Sequence, residues 1–275
     1  MNQKGAILFL VFVILLALTA VTVAFLSMTS GMTRGSGSGL PSAQALWAAE
    51  AGFQRAIWNL KTPVASGGKG RDWVTPPPLA ANFGNGAYTV DVSKTDFALS
   101  TYGSTAAASS QSGNAAAPAN AIDNDNATYW ESQNAPANNQ PQTITIQFPR
   151  PLAINRARFF LDAGTPQNRP MNYNWQVSAN NNAYTTVVTV TNNALTDVTN
   201  TFNVRQNVLY LRLRVTRTPT AAARVRAATI ESVGSTINAL GVVGDERRHF
   251  QQTFVFDNTA QRGYQEPDWN EIFPA

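Results

Sequence analysis

The sequence predicts an α+β stem, a helix packed on an antiparallel sheet, that carries a separate all-β sandwich. Three observations in its 275 residues predict this. An uncharged apolar run from Ala6 to Leu26 leads into a second segment with helical periodicity. A half-buried strand, AYTVDVS, finds partner strands only near the far end of the chain. Between them lies a stretch rich in Asn, Thr and Ala and full of short alternating runs.

As a helix, the apolar run is roughly 30 Å long, the thickness of a bilayer's hydrocarbon core. A secretory signal peptide would have a shorter apolar core and a small-x-small cleavage site beyond it, and neither is visible. Lys4 is the only charge before the run. It stays cytoplasmic under the positive-inside tendency, so everything after Leu26 lies outside.

From Gly31 to Pro41 the sequence holds four glycines and a proline, costing about 1 and 3 kcal/mol apiece inside a helix. The helix should break here and resume with Ser42 as its N-cap. Beyond it Leu46, Phe53, Ile57 and Leu60 recur at helical spacing, with Trp47, Ala51 and Trp58 beside them. They make a stripe for a sheet to pack on. Glu50 reads as a solvated helix face or as a subunit contact. The residues after Leu60, with Gly-Gly, Pro-Pro-Pro and Asn-Gly, read as loop.

Tyr88, Val90 and Val92 then alternate with Thr89 and Asp91 as a strand packed on one face. Its partners return in ATIESVGSTINALGVVGDERRHFQQTFVFD, a strand, a turn and a strand, before the tail YQEPDWNEIFPA. Within the intervening stretch, TITIQF sets Ile144, Ile146 and Phe148 against Thr143, Thr145 and Gln147. LYLRLRV does the same with Leu209, Leu211, Leu213 and Val215. Short strands between polar turns read as an antiparallel sandwich or jelly roll. With this stretch removed, each portion falls near the common domain size.

The leader ending Lys4-Gly5, the apolar helix directly after it and the later AAEAGFQRAIWNL resemble a type IV pilin-like protein, specifically a minor pilin of PilX type. The resemblance implies a pilin fold, a long N-terminal transmembrane helix packed on an antiparallel sheet. It also implies that a prepilin peptidase cuts between Gly5 and Ala6 and methylates Ala6. The helix would anchor the subunit in the inner membrane and later pack in the core of an extracellular pilus, with other pilin subunits and the assembly platform as partners. Ala6 stands where major pilins have phenylalanine, and Leu10 where they have glutamate. A mid-bilayer acid costs about 2.5–3.5 kcal/mol and is kept only where it has a partner. Its absence suits a tip or priming subunit.

The inserted stretch has its own resemblance. ASSQSGNAAAPANAIDNDNATYW, TITIQFPRPLAINRARFF, NYNWQVSANNNAYTTVV and LYLRLRVTR, in that order, are similar to a discoidin domain, also called F5/8 type C or family 32 carbohydrate-binding. The termini of that fold lie close together, so it can replace a surface turn. The organisation is then 1–5 leader, 6–26 transmembrane and filament-core helix, 27–95 helix continuation, loop and first strand, 96–222 discoidin-like module, and 223–275 C-terminal strands and tail. RVRAATIESVG fits either the end of the module or the returning stem.

In discoidin domains of the carbohydrate-binding kind a structural calcium is often held in the segment matching NAIDNDNATYW. The resemblance puts Asn120, Asp123, Asp125 and Thr128 on such an ion, which needs six to eight hard oxygens. Asn124 replaces the usual glycine of the turn. The acid expected on the last strand falls at Thr229, while Glu231 lies two residues on and on the same strand face. Asx-type hydrogen bonds alone are the alternative account of this loop. Ile122 and Trp130 read as core.

For a sugar, Arg169, Tyr173, Trp175 and Tyr184 are candidate contacts, through ring stacking and hydrogen bonds to hydroxyls. Packing between the sheets is the other reading of these aromatics. Arg205, Arg212, Arg214, Arg217, Arg224 and Arg226 form a second cluster. Arg212 and Arg214 share one strand face, as do Arg224 and Arg226, which makes either a basic stripe for an anionic glycan, nucleic acid or lipid, or a solvated outer face.

The composition narrows the function classes. Charged residues are 13% of the chain and the formal net charge is +4, too mild to argue for nucleic acid. With no cysteine, disulfides and thiolate metal sites are excluded. The lone His249, in GDERRHF, reads as a solvated strand-end residue. No Ser-His-Asp set, Walker loop or HExxH motif is present, which argues against an enzyme. The reading is a minor pilin presenting a discoidin-like module for adhesion or recognition of a surface glycan. A type II secretion pseudopilin contacting cargo, or a DNA-uptake pilin binding nucleic acid, is the alternative.

Overall fold

The computed structural model describes residues 39–75, 77–162, 164–256, 263–265 and 270–272. The apolar run and the Gly5–Ala6 bond lie outside these residues. Among the described residues no helix is long and apolar enough to cross a membrane.

Helix α1 covers residues 39–61 and is already helical at Gly39, ahead of the expected cap. Ser42 therefore sits inside it, and its hydroxyl oxygen accepts from Arg248 Nε (3.1 Å) and Nη2 (2.5 Å). Strand β1 (Leu79–Phe83) and β2 (Gly86–Asp96) form a hairpin. β1 falls in the stretch read as loop. Its side chains are nearly all exposed, so no alternation marked it. In β2, Tyr88, Val90 and Val92 are buried and Thr89 and Asp91 exposed, as their alternation predicts.

The chain then builds the sandwich from β3 (Thr105–Ala108), β4 (Trp130–Glu131), β5 (Gln142–Phe160), β6 (Asn172–Ser178), β7 (Thr185–Val190), β8 (Asp197–Arg217), β9 (Arg226–Ala227) and β10 (Thr229–Glu231). β5 and β8 run antiparallel through both layers, with register shifts where Pro149 and Pro151 interrupt β5 and Asn207 turns left-handed (φ 57°) in β8. Their first and last portions, respectively, lie in the order β3-β5-β8-β6-β7, and their remaining portions continue to β10. Ile144, Ile146, Leu211, Leu213, Tyr173 and Trp175 from one layer pack with Phe159, Phe202 and Ile230 from the other. Ile122 and Trp130 are buried beside them.

β11 (Val233–Val243) and β12 (Glu246–Phe256) return to the first sheet, whose order is β1-β2-β11-β12, with β13 (Gly263–Gln265) and β14 (Asn270–Ile272) both paired to β12. Residues 226–231 pair within the sandwich, so the break between the units falls after Ser232 and not at 222. Alternation alone could not place it, because both destinations bury every second residue. His249 lies mid-strand in β12, half-buried opposite Leu240, since the turn at Gly244 and Asp245 comes earlier than a strand end at 249 requires.

The stem has its own core. Phe53 and Leu60 of α1 pack on Val90, Val92, Ile237, Phe250 and Phe254, with the Phe53 ring 5.7 Å from that of Phe254. The closest approach is made by small residues. A Cβ on Gly241 would lie 2.0 Å from Ala45 O and 2.5 Å from Ala49 N. Only alanine-sized side chains fit such a gap, so the helix buries Ala45, Ala48, Ala49 and Ala56 and turns Trp47 (57% exposed) and Trp58 (47%) outward. The two tryptophans thus leave the stripe expected of them.

The sandwich stands where a turn would join β2 to β11. These strands pair as far as Asp96 opposite Val233. Phe97 N donates to Ser232 O (2.8 Å), and Asp96 Oδ1 accepts from Ser232 N (2.8 Å) and Ala98 N (3.0 Å). Arg156 of β5 reaches Asp72 at 2.7 Å, with Lys94 at 3.6 Å from the same oxygen. Asn155 Nδ2 donates to Phe256 O.

Two outcomes follow. Gly241→Ala should lower stability by about 1–3 kcal/mol through overpacking, read as a lower denaturant midpoint; an unchanged midpoint would refute the close helix–sheet contact. Burial raises the Asp96 pKa to about 7, against the Ser232 and Ala98 N–H donors. A group raised in the folded state contributes stability that is full below its unfolded value near 3.8 and lost as pH rises through about 7. Thermal stability should therefore fall between pH 4 and pH 8. Asp96→Asn, which keeps the acceptor oxygen, should flatten that slope and be the more stable form at pH 8.

Candidate functional site

Three groupings on the sandwich hold the residues singled out by sequence. The first is the loop after the 3-10 turn Pro118–Ile122. Asp123 Oδ1 accepts from Asp125 N and Asp125 Oδ1 from Ala127 N, both at 2.9 Å, two Asx turns in succession. Asn124 between them has φ 65°, the left-handed conformation that asparagine tolerates next best after glycine. These turns bring the Thr128 hydroxyl to Asp123 Oδ2 (2.7 Å), Asp125 O (3.0 Å) and Asn120 O (3.4 Å). Thr128 N also donates to Asp125 O (3.2 Å), so the loop gathers these oxygens around one hydroxyl. Asn120 Nδ2, donating to Ala115 O and Tyr129 O, holds its residue in place.

These four hard oxygens, one of them a carboxylate, are donors of the type calcium takes, two or more short of the six to eight it needs, and among the described residues no group of three or more acids and histidines gathers that could hold a metal. Glu231 does not join them. Its Oε1 takes Arg158 Nη1 at 2.6 Å, and Arg158 also binds Asp197. Thr229, with no charge, meets the loop instead, its hydroxyl 2.7 Å from Asn126 Oδ1.

The second grouping lies where β4 pairs with β9. Trp130 points inward and Tyr129 and Glu131 lie on the opposite side of the strand. Glu131 is only 8% exposed. It takes Arg226 Nη2 and Nε at 2.7 and 3.1 Å and Arg224 Nη1 at 3.4 Å, with Asn168 Nδ2 at 3.5 Å. The Arg226 guanidinium also covers the Tyr129 ring at 3.7 Å, and Arg224 reaches Ser112 Oγ at 2.6 Å. A carboxylate this buried is tolerated because its charge is met on both oxygens. The knot fastens four loops together at one end of the sandwich. Glu131 and Asn168 carry no sequence signal, since neither stands in a motif. Arg169 sits in the same loop as Asn168, but its guanidinium is spent on the carbonyls of Pro166 (2.8 Å) and Asn193 (3.2 Å).

The third grouping is on β6 and β8. Tyr173 and Trp175, taken as sugar contacts, are 1% and 0% exposed. Both point between the layers, each donating to Asn200 Oδ1 at 3.0 Å, so their rings cannot meet a ligand from outside. Burial pushes the Tyr173 hydroxyl up to about 12, against the Asn200 hydrogen bond. Tyr184, Arg212 and Arg214 lie on the outer face, where Arg212 Cζ sits 3.4 Å above the Tyr184 ring. The six arginines form no single stripe. Arg224 and Arg226 face Glu131, Arg212 and Arg214 share the outer face of β8, and Arg205 lies opposite Ile154 in the other layer.

Residues 105–228 match the family model of the F5/8 type C domain. No curated protein matches the chain. Among solved structures the chain is similar to chitosan-binding module 1 of a chitosanase/glucanase from Paenibacillus sp. IK-5, at 25% identity, over 50% of this chain and 98% of that one, with a TM-score of 0.43. It is also similar to CpGH89CBM32-5 from Clostridium perfringens in complex with GalNAc-β-1,3-galactose, at 18% identity, over 50% and 99%, with a TM-score of 0.44. A third is the family 32 module of Clostridium perfringens NanJ in complex with galactose, at 18% identity, over 51% and 98%, with a TM-score of 0.42. The sandwich carried by the stem is an F5/8 type C domain.

Proposed function

We propose that this chain is a pilin-like subunit, anchored in the inner membrane by the Ala6–Leu26 run before assembly, that displays its F5/8 type C domain on a surface filament to bind glycans. The observation that carries the reading is the mode of attachment. The domain has its own core and enters and leaves the stem at hydrogen-bonded neighbours, Phe97 and Ser232. It can thus be held away from a filament axis without disturbing the helix-on-sheet stem that would build the filament. The exposed Trp47 and Trp58 on α1 suit a helix with further surfaces to cover. The dispersed arginines favour a glycan over a nucleic acid, which needs a continuous basic track.

Glycan capture would proceed by hydrogen bonds from amides, hydroxyls and guanidinium groups to sugar hydroxyls, in surroundings dry enough to make them count. A calcium ion held by Asn120, Asp123, Asp125 and Thr128 would supply charge that stiffens this loop, leaving recognition to the side chains around it.

The full chain in detergent should retain at least one class of glycan on an array; binding to none would reject the recognition role. In cells the protein should appear in sheared surface filaments with a mass that starts at Ala6, and a mass that still includes Met1 would reject the pilin processing. Calcium in the range of about 0.1–1 mM, where extracellular modules bind it, should raise the melting temperature by a few degrees. Chelator should reverse the rise and Asp123→Ala abolish it. Equal melting with and without calcium would leave the loop to its Asx turns alone.

A further inference from the structure

The outer face of the five-stranded layer takes no part in the oxygen cluster or the Glu131 knot, yet it is shaped. Strand register arranges it in rows. Thr105, Gln147, Tyr210 and Ser178 stand side by side, then Ala107, Thr145, Arg212 and Gln176, then Thr143, Arg214 and Asn174. Side chains on β3 and β5 are short and those on β8 are long, so the face is stepped. The result is a trough of about 300 Å³ lined by Thr105, Ser109, Thr143, Thr145, Asn181 and Tyr210 among others; Arg212 and Arg214 are outside that lining and stand at its border, paired in register with Thr145 and Thr143. Rows two residues apart are spaced by about 7 Å, so three rows span roughly 14 Å, room for two or three linked sugar rings.

The electrostatics of this face are one-sided. β3, β6, residues 142–148 and residues 208–217 contain no Asp or Glu. Arg212 and Arg214 have no ion pair among the described residues. Arg212 is nevertheless held on two sides, its Cζ over the Tyr184 ring at 3.4 Å and its Nε and Nη2 donating to Gln176 Oε1 at 2.9 and 2.7 Å. Burial pushes its pKa down, and neighbouring Arg214 adds to this against Tyr184. A preorganised, partly desolvated cation without a counter-charge, beside hydroxyls and amides, suits an anion that also carries hydroxyls.

We propose that this trough is a glycan subsite separate from the loop end, and that it takes a linear acidic polysaccharide with Arg212 and Arg214 on its carboxylates or sulfates. The proposal deepens the reading of the domain as a glycan binder and rests on it. The test uses the full chain in detergent against four probes: a neutral hexasaccharide, an oligouronate, a sulfated oligosaccharide and single-stranded DNA of equal charge. An acidic oligosaccharide should bind best and weaken as salt rises. Arg212→Gln with Arg214→Gln should cost tenfold or more. Ala107→Trp, which fills the trough and leaves the charges, should cost as much, and Tyr129→Ala at the loop end should cost little. The oligouronate and sulfated arms identify which anion is read. Binding of the neutral glycan alone, or loss on Tyr129→Ala in place of the trough variants, overturns the proposal and leaves the glycan reading standing. Equal binding of DNA overturns it as recognition of charge alone. If no glycan binds, both fall.

Discussion

The antiparallel pairing of β2 with β11 is the constraint on which the rest of the molecule depends. Their register holds from Ala87 opposite Val242 to Asp96 opposite Val233, and it fixes both the sheet that receives α1 and the two points between which the sandwich is suspended. Joining such strands by a flexible segment of this length would cost closure entropy that grows slowly with length. A folded domain whose ends already lie together avoids most of that cost, because its own core has fixed the distance. Phe97 and Ser232 are held by one backbone hydrogen bond while each continues into a different sheet, so the stem tolerates a large passenger at a position meant for a turn.

That economy concentrates polar groups at the seam. Asp96 accepts two backbone N–H bonds there, and Ser232 Oγ donates to Arg156 O at 2.9 Å. Beside them Asp72 faces Arg156, Lys94 and Arg71. Burial alone would raise the Asp72 pKa, but the Arg156 hydrogen bond and charge, with Lys94 and Arg71, outweigh it and hold the carboxyl below its usual range. Lys94 is pushed down to about 8 by burial, with the Asp72 attraction only partly offsetting it. The seam thus joins directed bonds between charged groups to an apolar contact, since Phe97 and Val255 pack in the sandwich core. Such contacts fix orientation well and add modest stability.

Much of this was legible in the sequence, and the misses share a cause. Tyr88, Val90 and Val92, and the alternations of TITIQF and LYLRLRV, declared their faces because each strand has one side in a core and one in water. The same rule places Tyr173, Trp175 and Val177 on a single face with the buried set, so their loss as sugar contacts follows from alternation once it is weighed above the appeal of an exposed aromatic. What alternation cannot express is distance between layers. The gap between α1 and β11 at Gly241 decides that alanines go in and tryptophans go out; the row Ala45, Ala49, Gly52 and Ala56 at helical spacing reports it, but a reading that follows the large apolar residues passes over it. Glu131 and Asn168 were silent for a related reason, since their partners Arg224 and Arg226 lie far along the chain. Glu231 misled because strand face is readable and strand neighbour is not. It shares a face with Thr229, but Arg158 lies across from it.

The placement of the arginines then separates structure from recognition within one domain. Arg158, Arg224 and Arg226 are matched to Asp197, Glu231 and Glu131 and serve to hold strands and loops. Arg212 is also immobilised, but by a phenol ring and an amide oxygen, neither of which cancels its charge. Stacking on the Tyr184 ring contributes about 0.5–1 kcal/mol as a cation–π contact, yet the burial costs hydration and the ring and the amide restore only part of it. The cost is justified if the missing counter-charge arrives from outside. On that argument the neutral, stepped face of β3 and β5 and the uncompensated cations of β8 are two halves of one surface, and the acids that would silence it are all placed elsewhere in the fold.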